Sequence, residues 1–136
     1  MKGGRMRLVI IESPLAGDFV RHIRYARLCM IDSLQRGEAP YASHLLYPQV
    51  LDDKLPEDRA LGMTAGFAWA ARGDAHVAYV DLGISGGMKA GREKAEANGV
   101  VWEERNLPAD LLAQLDRTAT LDVAGTIDLR MTEGIR

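Results

Sequence analysis

The sequence predicts an α/β fold built on a mainly parallel sheet. Short apolar runs typical of buried strands alternate with longer segments whose apolar residues recur at helical spacing. The two clearest strands, residues 6–11 and 75–80, are each followed by a small polar loop and then by a helical pattern. Because parallel strands need crossover connections between them, this order indicates a Rossmann-like or flavodoxin-like three-layer sandwich.

The first half of the chain supplies a strand, a helix and a short second strand. Residues 6–11 form the first strand, and Asp18 is the expected N-cap of a helix over residues 18–36. Residues 38–55 are irregular, with a short strand expected near 40–43 and then a loop. The expected buried stripe of the helix consists of Phe19, Ile23, Ala26, Met30 and Leu34.

The second half of the chain continues the alternation. Pro56 suits the first position of one helix, and Ser85 suits the N-cap of the next. The expected elements are a helix over residues 56–72, a strand over 75–80, a helix over 85–98, a strand over 100–104 and a short helix over 108–117.

The last residues change to a strict alternation of apolar and polar side chains, which is strand periodicity. One long strand and a hairpin around Ala124-Gly125 both fit. We expect a single domain over residues 1–136, with 1–5 as a tail and 119–136 as a C-terminal β extension or oligomerisation arm. An apolar edge strand needs a cover, so a homo-oligomer is expected. The apolar positions are Leu121, Val123, Ile127, Leu129 and Met131.

Composition narrows the classes of partner. The 136 residues include 47% hydrophobic and 26% charged residues, which is typical of a soluble domain. The net charge of −2 argues against nucleic acid as a binding partner, and no apolar run is long enough to cross a membrane. Cys29, the single cysteine, fits the reducing cytoplasm. Because no His or Cys residues stand at metal-ligand spacing, neither a metal nor a cofactor is expected.

An anion-binding loop is predicted between the strand over residues 75–80 and the helix after it. Gly83, Gly86 and Gly87 allow the backbone to approach a ligand closely, and Ser85 either caps the helix or donates to a phosphate. The helix dipole near Met88 favours negative charge. A plain tight turn with a serine N-cap is the alternative.

Further candidate binding residues follow the other predicted strands. The carboxyl ends of parallel strands meet at one sheet edge, so these loops are expected to share a ligand cleft with the glycine-rich loop. The alternative for Arg21 is simple solvation, and the alternative for His44 is a structural role. The candidates are Ser13, Pro14, Gly17, Arg21, Ser43 and His44.

Two carboxylates stand where predicted strands end. Glu12 and Asp81 are candidates for an acid, a base or a nucleophile at the cleft, and loop capping is the alternative. Gly62 and Gly66 lie on one face of the predicted helix over residues 56–72. Two glycines on one helix face indicate close approach by another helix or by a ligand.

Three motifs carry a resemblance to a known family. Glu-Ser-Pro-x-x-Gly stands at 12–17, Ala-Ser-His-Leu-Leu-Tyr at 42–47 and Asp-Leu-Gly-x-Ser-x-Gly-Met at 81–88. The sequence resembles the nucleoside 2-deoxyribosyltransferase-like superfamily over about residues 8–105. It is most similar to an uncharacterised branch of small, often phage-borne proteins that carry these motifs.

The resemblance implies a cleft that encloses a nucleoside or nucleotide between the first loop and the glycine-rich loop. In the superfamily a glutamate in the helix after the glycine-rich loop attacks the anomeric carbon, and an aspartate in the preceding helix assists. Here the aspartate position is Gly66, and the glutamate is expected near 88–91, where the chain has Met88 and Gly91. The superfamily acids are therefore missing from both places.

Three functions stay open at this point. The first is binding of a nucleotide-derived small molecule without catalysis. The second is an N-glycosidase or deoxyribosyltransferase that uses relocated carboxylates, with Asp81 and Glu12 as candidates. The third is an assembly protein on the same fold that takes no small ligand. We expect the first.

Overall fold

A four-stranded, all-parallel sheet organises residues 4–117, the part of the chain that the computed structural model describes. The strands are β1 (Leu8–Glu12), β2 (Ala39–Tyr41), β3 (Ala75–Tyr79) and β4 (Val101–Arg105). Their spatial order is β2-β1-β3-β4, so the predicted α/β class with a parallel sheet is confirmed. The C-terminal extension expected over residues 119–136 lies outside the described residues.

Helices connect the strands, and most begin where the capping residues predict. The Asp18 side chain accepts a hydrogen bond from the Arg21 amide, and the Ser85 hydroxyl accepts one from the Met88 amide. The prediction of a loop after β2 is wrong, because residues 43–49 form two short helical turns. The helices are α1 (Phe19–Gln35), α2 (Ser43–Leu46), α3 (Pro56–Ala70), α4 (Gly86–Asn98) and α5 (Ala109–Leu112), with a 3₁₀ turn over Tyr47–Gln49.

The sheet separates two helical layers. On one face Val9 and Ile11 of β1 pack with Tyr25 and Leu28 of α1, and the core there extends to α5. On the other face lie α3 and α4, and their side of β1 carries Ile10 and Glu12. Successive strand residues point to opposite faces, so the alternation in β1 directs one carboxylate towards the α3–α4 layer.

The predicted buried stripe of α1 is partly wrong. Phe19 is 44% exposed and Leu34 is 55% exposed. The buried face instead includes Asp32 and Ser33. These polar residues turn inwards because they have partners there: Asp32 accepts a hydrogen bond from the Tyr79 hydroxyl at 2.7 Å. A hydrogen bond between α1 and the β3 side chain on the same face of the sheet therefore accompanies the burial of Asp32.

An ion-pair network joins the end of α1 to the edge strand β4. The Arg105 guanidinium donates to both carboxylate oxygens of Glu38, at 2.9 and 3.0 Å, and the Ser33 hydroxyl donates to Glu38 at 2.8 Å. Burial by itself raises the pKa of Glu38, but the hydrogen bonds from Arg105 and Ser33 outweigh it and lower the pKa. The network thus stabilises the ionised form of a buried carboxylate.

The strand order brings two loops together at the carboxyl edge of the sheet. The chain leaves β1 towards β2 and returns to pair β3 on the other side of β1. The loops after β1 and β3 therefore diverge at a topological switch point, where open α/β sheets bind ligands. This arrangement confirms the expected proximity of the two loops.

We predict that Glu38→Gln lowers the free energy of unfolding by about 3 kcal/mol at pH 7, because Arg105 loses its buried carboxylate. The pKa of Glu38 is lowered in the folded state, so this stabilisation exists above the unfolded pKa of about 4.3 and is lost as the pH falls through the folded pKa. Urea denaturation at pH 7 and pH 3 measures both effects.

The matched control is Glu96→Gln. Glu96 forms an ion pair with Arg92 on the surface, and the two side chains are 66% and 52% exposed, respectively. We expect no measurable change from this substitution. Equal effects of the two substitutions at pH 7 would contradict the assigned role of Glu38.

Candidate functional site

A cavity of about 250 Å³ lies at the switch point, beneath α2 and between α3, α4 and the end of β1. Eight of the residues predicted from the sequence to form the site line it. They are Glu12, Ser13, Ser43, His44, Ser85, Gly86, Gly87 and Met88.

Four predicted binding residues do not line the cavity, and each has a structural position instead. Pro14 is buried, Gly17 lies in a bend, and Gly83 closes a turn by donating its amide hydrogen to the Val80 carbonyl. The φ of +88° at Gly83 belongs to the left-handed region, which glycine adopts without strain and which directs the chain into α4. Arg21 forms an ion pair with Asp116 beyond α5.

Asp81, a predicted catalytic residue, is also outside the cavity lining. It accepts hydrogen bonds from the Tyr25 hydroxyl at 2.7 Å, the Asn106 amide group at 3.0 Å and the Leu107 backbone N–H at 3.0 Å. Burial by itself raises the pKa of Asp81, but these hydrogen bonds outweigh it and lower the pKa. Asp81 therefore connects β3 to α1 and to the segment after β4.

Glu12 is the carboxylate that the fold does bring to the cavity. As the last residue of β1 it lies under α4, with a side chain only 14% exposed. Its Oε2 accepts a hydrogen bond at 2.7 Å from Nδ1 of His76, a fully buried residue of β3. Burial raises the pKa of Glu12, and the hydrogen bond from His76 offsets part of this. Perturbed pKa values cluster at functional sites, which makes Glu12 a candidate functional residue.

Gly91 in α4 makes room for this carboxylate. A Cβ atom at position 91 would lie 2.6 Å from Oε2 and 2.7 Å from Oε1 of Glu12. Such distances are shorter than any ordinary contact, so the Glu12 carboxylate would have to shift to admit a side chain at 91. The Glu12 carboxylate thus occupies the place next to α4 that a side chain at 91 would take.

Gly66 in α3 likewise makes room for a neighbour, the helix α2. A Cβ atom at position 66 would lie 2.8 Å from both Cβ and Oγ of Ser43. The predicted close approach at this glycine is therefore made by the neighbouring helix. Two residues of the motifs at 12–17 and 42–47, Glu12 and Ser43, thus occupy the spaces beside Gly91 and Gly66.

A second polar pair lies in the cavity wall next to Glu12. Ser13 is 7% exposed, and its Oγ lies 2.7 Å from Nε2 of His44. Burial lowers the pKa of His44 to about 4, so the imidazole is neutral at pH 7. A neutral imidazole has one nitrogen lone pair available as an acceptor. The pair combines a hydroxyl with a potential base.

The N-terminus of α4 contributes hydrogen-bond donors to the cavity. The amides of Gly86 and Gly87 are the first two of the helix and therefore have no intrahelical acceptor. Arg59 lies beside them, since its Nη2 is 3.7 Å from the position of a Cβ at 87. Asp53 pairs with Arg59 at 2.9 Å. The unpaired amides and the helix dipole favour an anion here, next to the Arg59–Asp53 ion pair.

Apart from its two glycines, α3 contributes lining residues that were not predicted from the sequence. Arg59, Met63 and Phe67 line the cavity, together with Gly62 and Gly66. These residues recur at spacings of three and four, so the face carrying the two glycines was a usable signal. The acidic residues Asp53 and Asp58 also line the cavity, and no sequence pattern singled them out.

Within residues 4–117, no group of three or more His, Cys, Asp or Glu side chains is placed to hold a metal ion. In the same part of the chain, no helix has the length and apolar character needed to cross a membrane.

The family described as "Domain of unknown function (DUF7768)" matches residues 7–105. The chain belongs to the DUF7768 family. The match runs from just before β1 to the end of β4, so the DUF7768 domain includes every element around the cavity. Neither a curated protein nor a solved structure matches the chain.

We predict that Gly91→Ala lowers the free energy of unfolding by about 1–3 kcal/mol, because the added methyl group collides with Glu12. In a Glu12→Ala background, Gly91→Ala raises the free energy of unfolding by about 0.5–1 kcal/mol, because alanine has the higher helix propensity. The four variants form a double-mutant cycle, measured by urea denaturation.

Gly87→Ala is the matched control in the same helix, since its nearest contact would be an ordinary 3.7 Å. Its effect should not depend on residue 12. Additive effects of Gly91→Ala and Glu12→Ala would refute the close approach.

Proposed function

We propose that this DUF7768 protein binds a nucleotide-derived small molecule in the cavity. The observation that carries the proposal is the arrangement of two sites along α4: an anion site at Gly86 and Gly87 beside Arg59, and the Glu12 carboxylate against Gly91. Gly87 and Gly91 are separated by about 6 Å along the helix axis. A nucleotide presents its phosphate and its sugar hydroxyls at a comparable separation, across one ribose ring.

The remaining wall suits a nucleobase. Leu51, Met63 and Phe67 line the cavity together with Tyr47 and Pro48. Small-molecule sites are typically apolar pockets with a few polar groups that orient the ligand. A flat aromatic base gains dispersion and hydrophobic contacts on such a surface while the polar ends of the ligand are held by α4 and β1.

The charges of the lining favour few phosphates. Arg59 is the cation among the lining residues, whereas Glu12, Asp53 and Asp58 are acidic. Each additional phosphate brings negative charge into a lining that is already rich in carboxylates, which costs Coulomb energy at low dielectric. We therefore expect a nucleoside monophosphate to bind more tightly than the corresponding triphosphate.

We predict that a nucleoside monophosphate at about 100 times its Kd stabilises the protein by about 2–3 kcal/mol, which thermal denaturation detects. Arg59→Gln should weaken binding about 10- to 100-fold, as expected for a lost charge-assisted hydrogen bond. Isothermal titration calorimetry measures the affinities of the monophosphate and the triphosphate.

Arg72→Gln provides the control, because Arg72 follows α3, is exposed and does not line the cavity. Binding should be unchanged in this variant. The binding proposal fails if no nucleoside or nucleotide shifts the thermal midpoint, an outcome that leaves the assembly function.

The position of Glu12 favours a second candidate function, cleavage of an N-glycosidic bond. The Glu12 carboxylate is buried in the cavity wall, is hydrogen-bonded to His76 and fills the space beside position 91. This position supports Glu12 as a nucleophile that has moved from α4 to β1. In the reaction implied by the superfamily resemblance, a Glu12 oxygen bonds to the anomeric carbon. The bond to the nucleobase breaks, and the base leaves with the electron pair.

We predict that Glu12→Gln lowers the rate of base release from a deoxynucleotide by about 10³-fold or more, since an amide does not replace a carboxylate nucleophile. Chromatographic quantification of free base measures the rate. Unchanged release in Glu12→Gln would exclude Glu12 as the nucleophile.

The control in that experiment is the thermal stability of Glu12→Gln, which shows that the variant is folded. Burial raises the pKa of Glu12, so its stabilisation of the fold is present below the unfolded pKa and is lost as the pH rises through the folded pKa. The neutral amide avoids this loss. Glu12→Gln should therefore be at least as stable as the wild type at pH 8, by thermal denaturation.

Location and assembly stay predictions. Cys29, buried in α1, fits a reducing compartment, so a cytoplasmic location is proposed. A homo-oligomer is proposed on the alternating sequence pattern of residues 121–131.

A further inference from the structure

We propose that Ser13 and His44 form a proton relay that activates the water molecule releasing the sugar from Glu12, so that the reaction ends in hydrolysis. The assignment rests on the glycosyl cleavage proposed for Glu12 and adds the group that completes its cycle. The superfamily aspartate that would assist is absent at Gly66, where Ser43 occupies the space.

Position supports the relay. Glu12 and Ser13 are consecutive at the end of β1, and both line the cavity. Each is joined to a different histidine at 2.7 Å: Glu12 to His76 of β3, and Ser13 to His44 of α2. His76 does not line the cavity, whereas His44 does. The carboxylate thus has a positioning partner behind it, and the hydroxyl has a partner that reaches the ligand space.

His44 has the chemistry of a general base. Burial lowers its pKa to about 4, so at pH 7 the imidazole is neutral and can accept a proton. Its basicity is close to that of a glutamate carboxylate, with an ordinary pKa of about 4.3. Carboxylates of this strength activate water in many glycosidases. A neutral base also avoids placing a second negative charge beside Glu12.

The step balances in atoms and charge. The water oxygen bonds to the anomeric carbon of the sugar held on Glu12, while the bond from that carbon to the Glu12 oxygen breaks and its electron pair restores the carboxylate. The water proton passes to Ser13 Oγ as the Ser13 proton passes to Nε2 of His44. Release of that proton to solvent returns His44 to its neutral form.

The test separates formation of the glycosyl intermediate from its hydrolysis. In His44→Gln and Ser13→Ala we expect a first-turnover burst of free base, close to one equivalent per site, followed by steady-state release about 10²- to 10⁴-fold slower than in the wild type. Rapid-quench chromatography with a deoxynucleoside monophosphate measures both phases. Peptide mass spectrometry should detect the deoxyribosyl adduct on Glu12.

His22→Gln is the matched control, because Nδ1 of His22 lies 3.0 Å from the Leu15 backbone oxygen and His22 does not line the cavity. It should show wild-type kinetics. If both relay variants slow the burst and the steady state equally and accumulate no adduct, Ser13 and His44 only shape the site and the relay is refuted. If the wild type releases no base, the glycosyl cleavage itself is refuted.

Discussion

The geometry of the site depends on the burial of one carboxylate between the sheet and a helix. Glu12 ends β1 beneath α4, and an ionised group in that place is tolerated only with a strong hydrogen-bond donor. His76 supplies the donor from β3 at 2.7 Å, and Gly91 supplies the space. The three residues come from three elements, so the close packing of β1, β3 and α4 and the position of the carboxylate are a single property of the fold.

The cavity follows from that packing. With α4 close to the sheet, its first amides reach the switch point, and α3 brings Arg59 alongside them. Gly66 lets α2 lie against α3, which places His44 in the wall beside Ser13. A site formed in this way combines an anion position, an apolar wall and a buried carboxylate. Retaining a desolvated acid at the expense of stability is characteristic of functional sites.

Local chemistry made much of the fold predictable. Asp18 and Ser85 act as N-caps because their side-chain oxygens accept amide hydrogens within one turn, and no distant residue is needed for this. The buried face of α1 was less accessible to prediction. Asp32 and Ser33 are buried beside hydrogen-bond partners that helical periodicity does not reveal, Tyr79 of β3 and Glu38 just after α1. The helical turns at 43–49 likewise form against α3, so local pattern did not reveal them.

The two candidate carboxylates, Asp81 and Glu12, show what the sequence determines and what depends on the tertiary structure. By itself the sequence determined the strand and helix order, the switch-point loops and the two acids at strand ends, because period and capping are local properties. Only the tertiary structure decided that Asp81 accepts hydrogen bonds from Tyr25 and Leu107 while Glu12 lines the cavity. Which neighbours surround a strand end depends on helices distant in sequence, and Gly91 acquires its meaning only when α4 lies on Glu12.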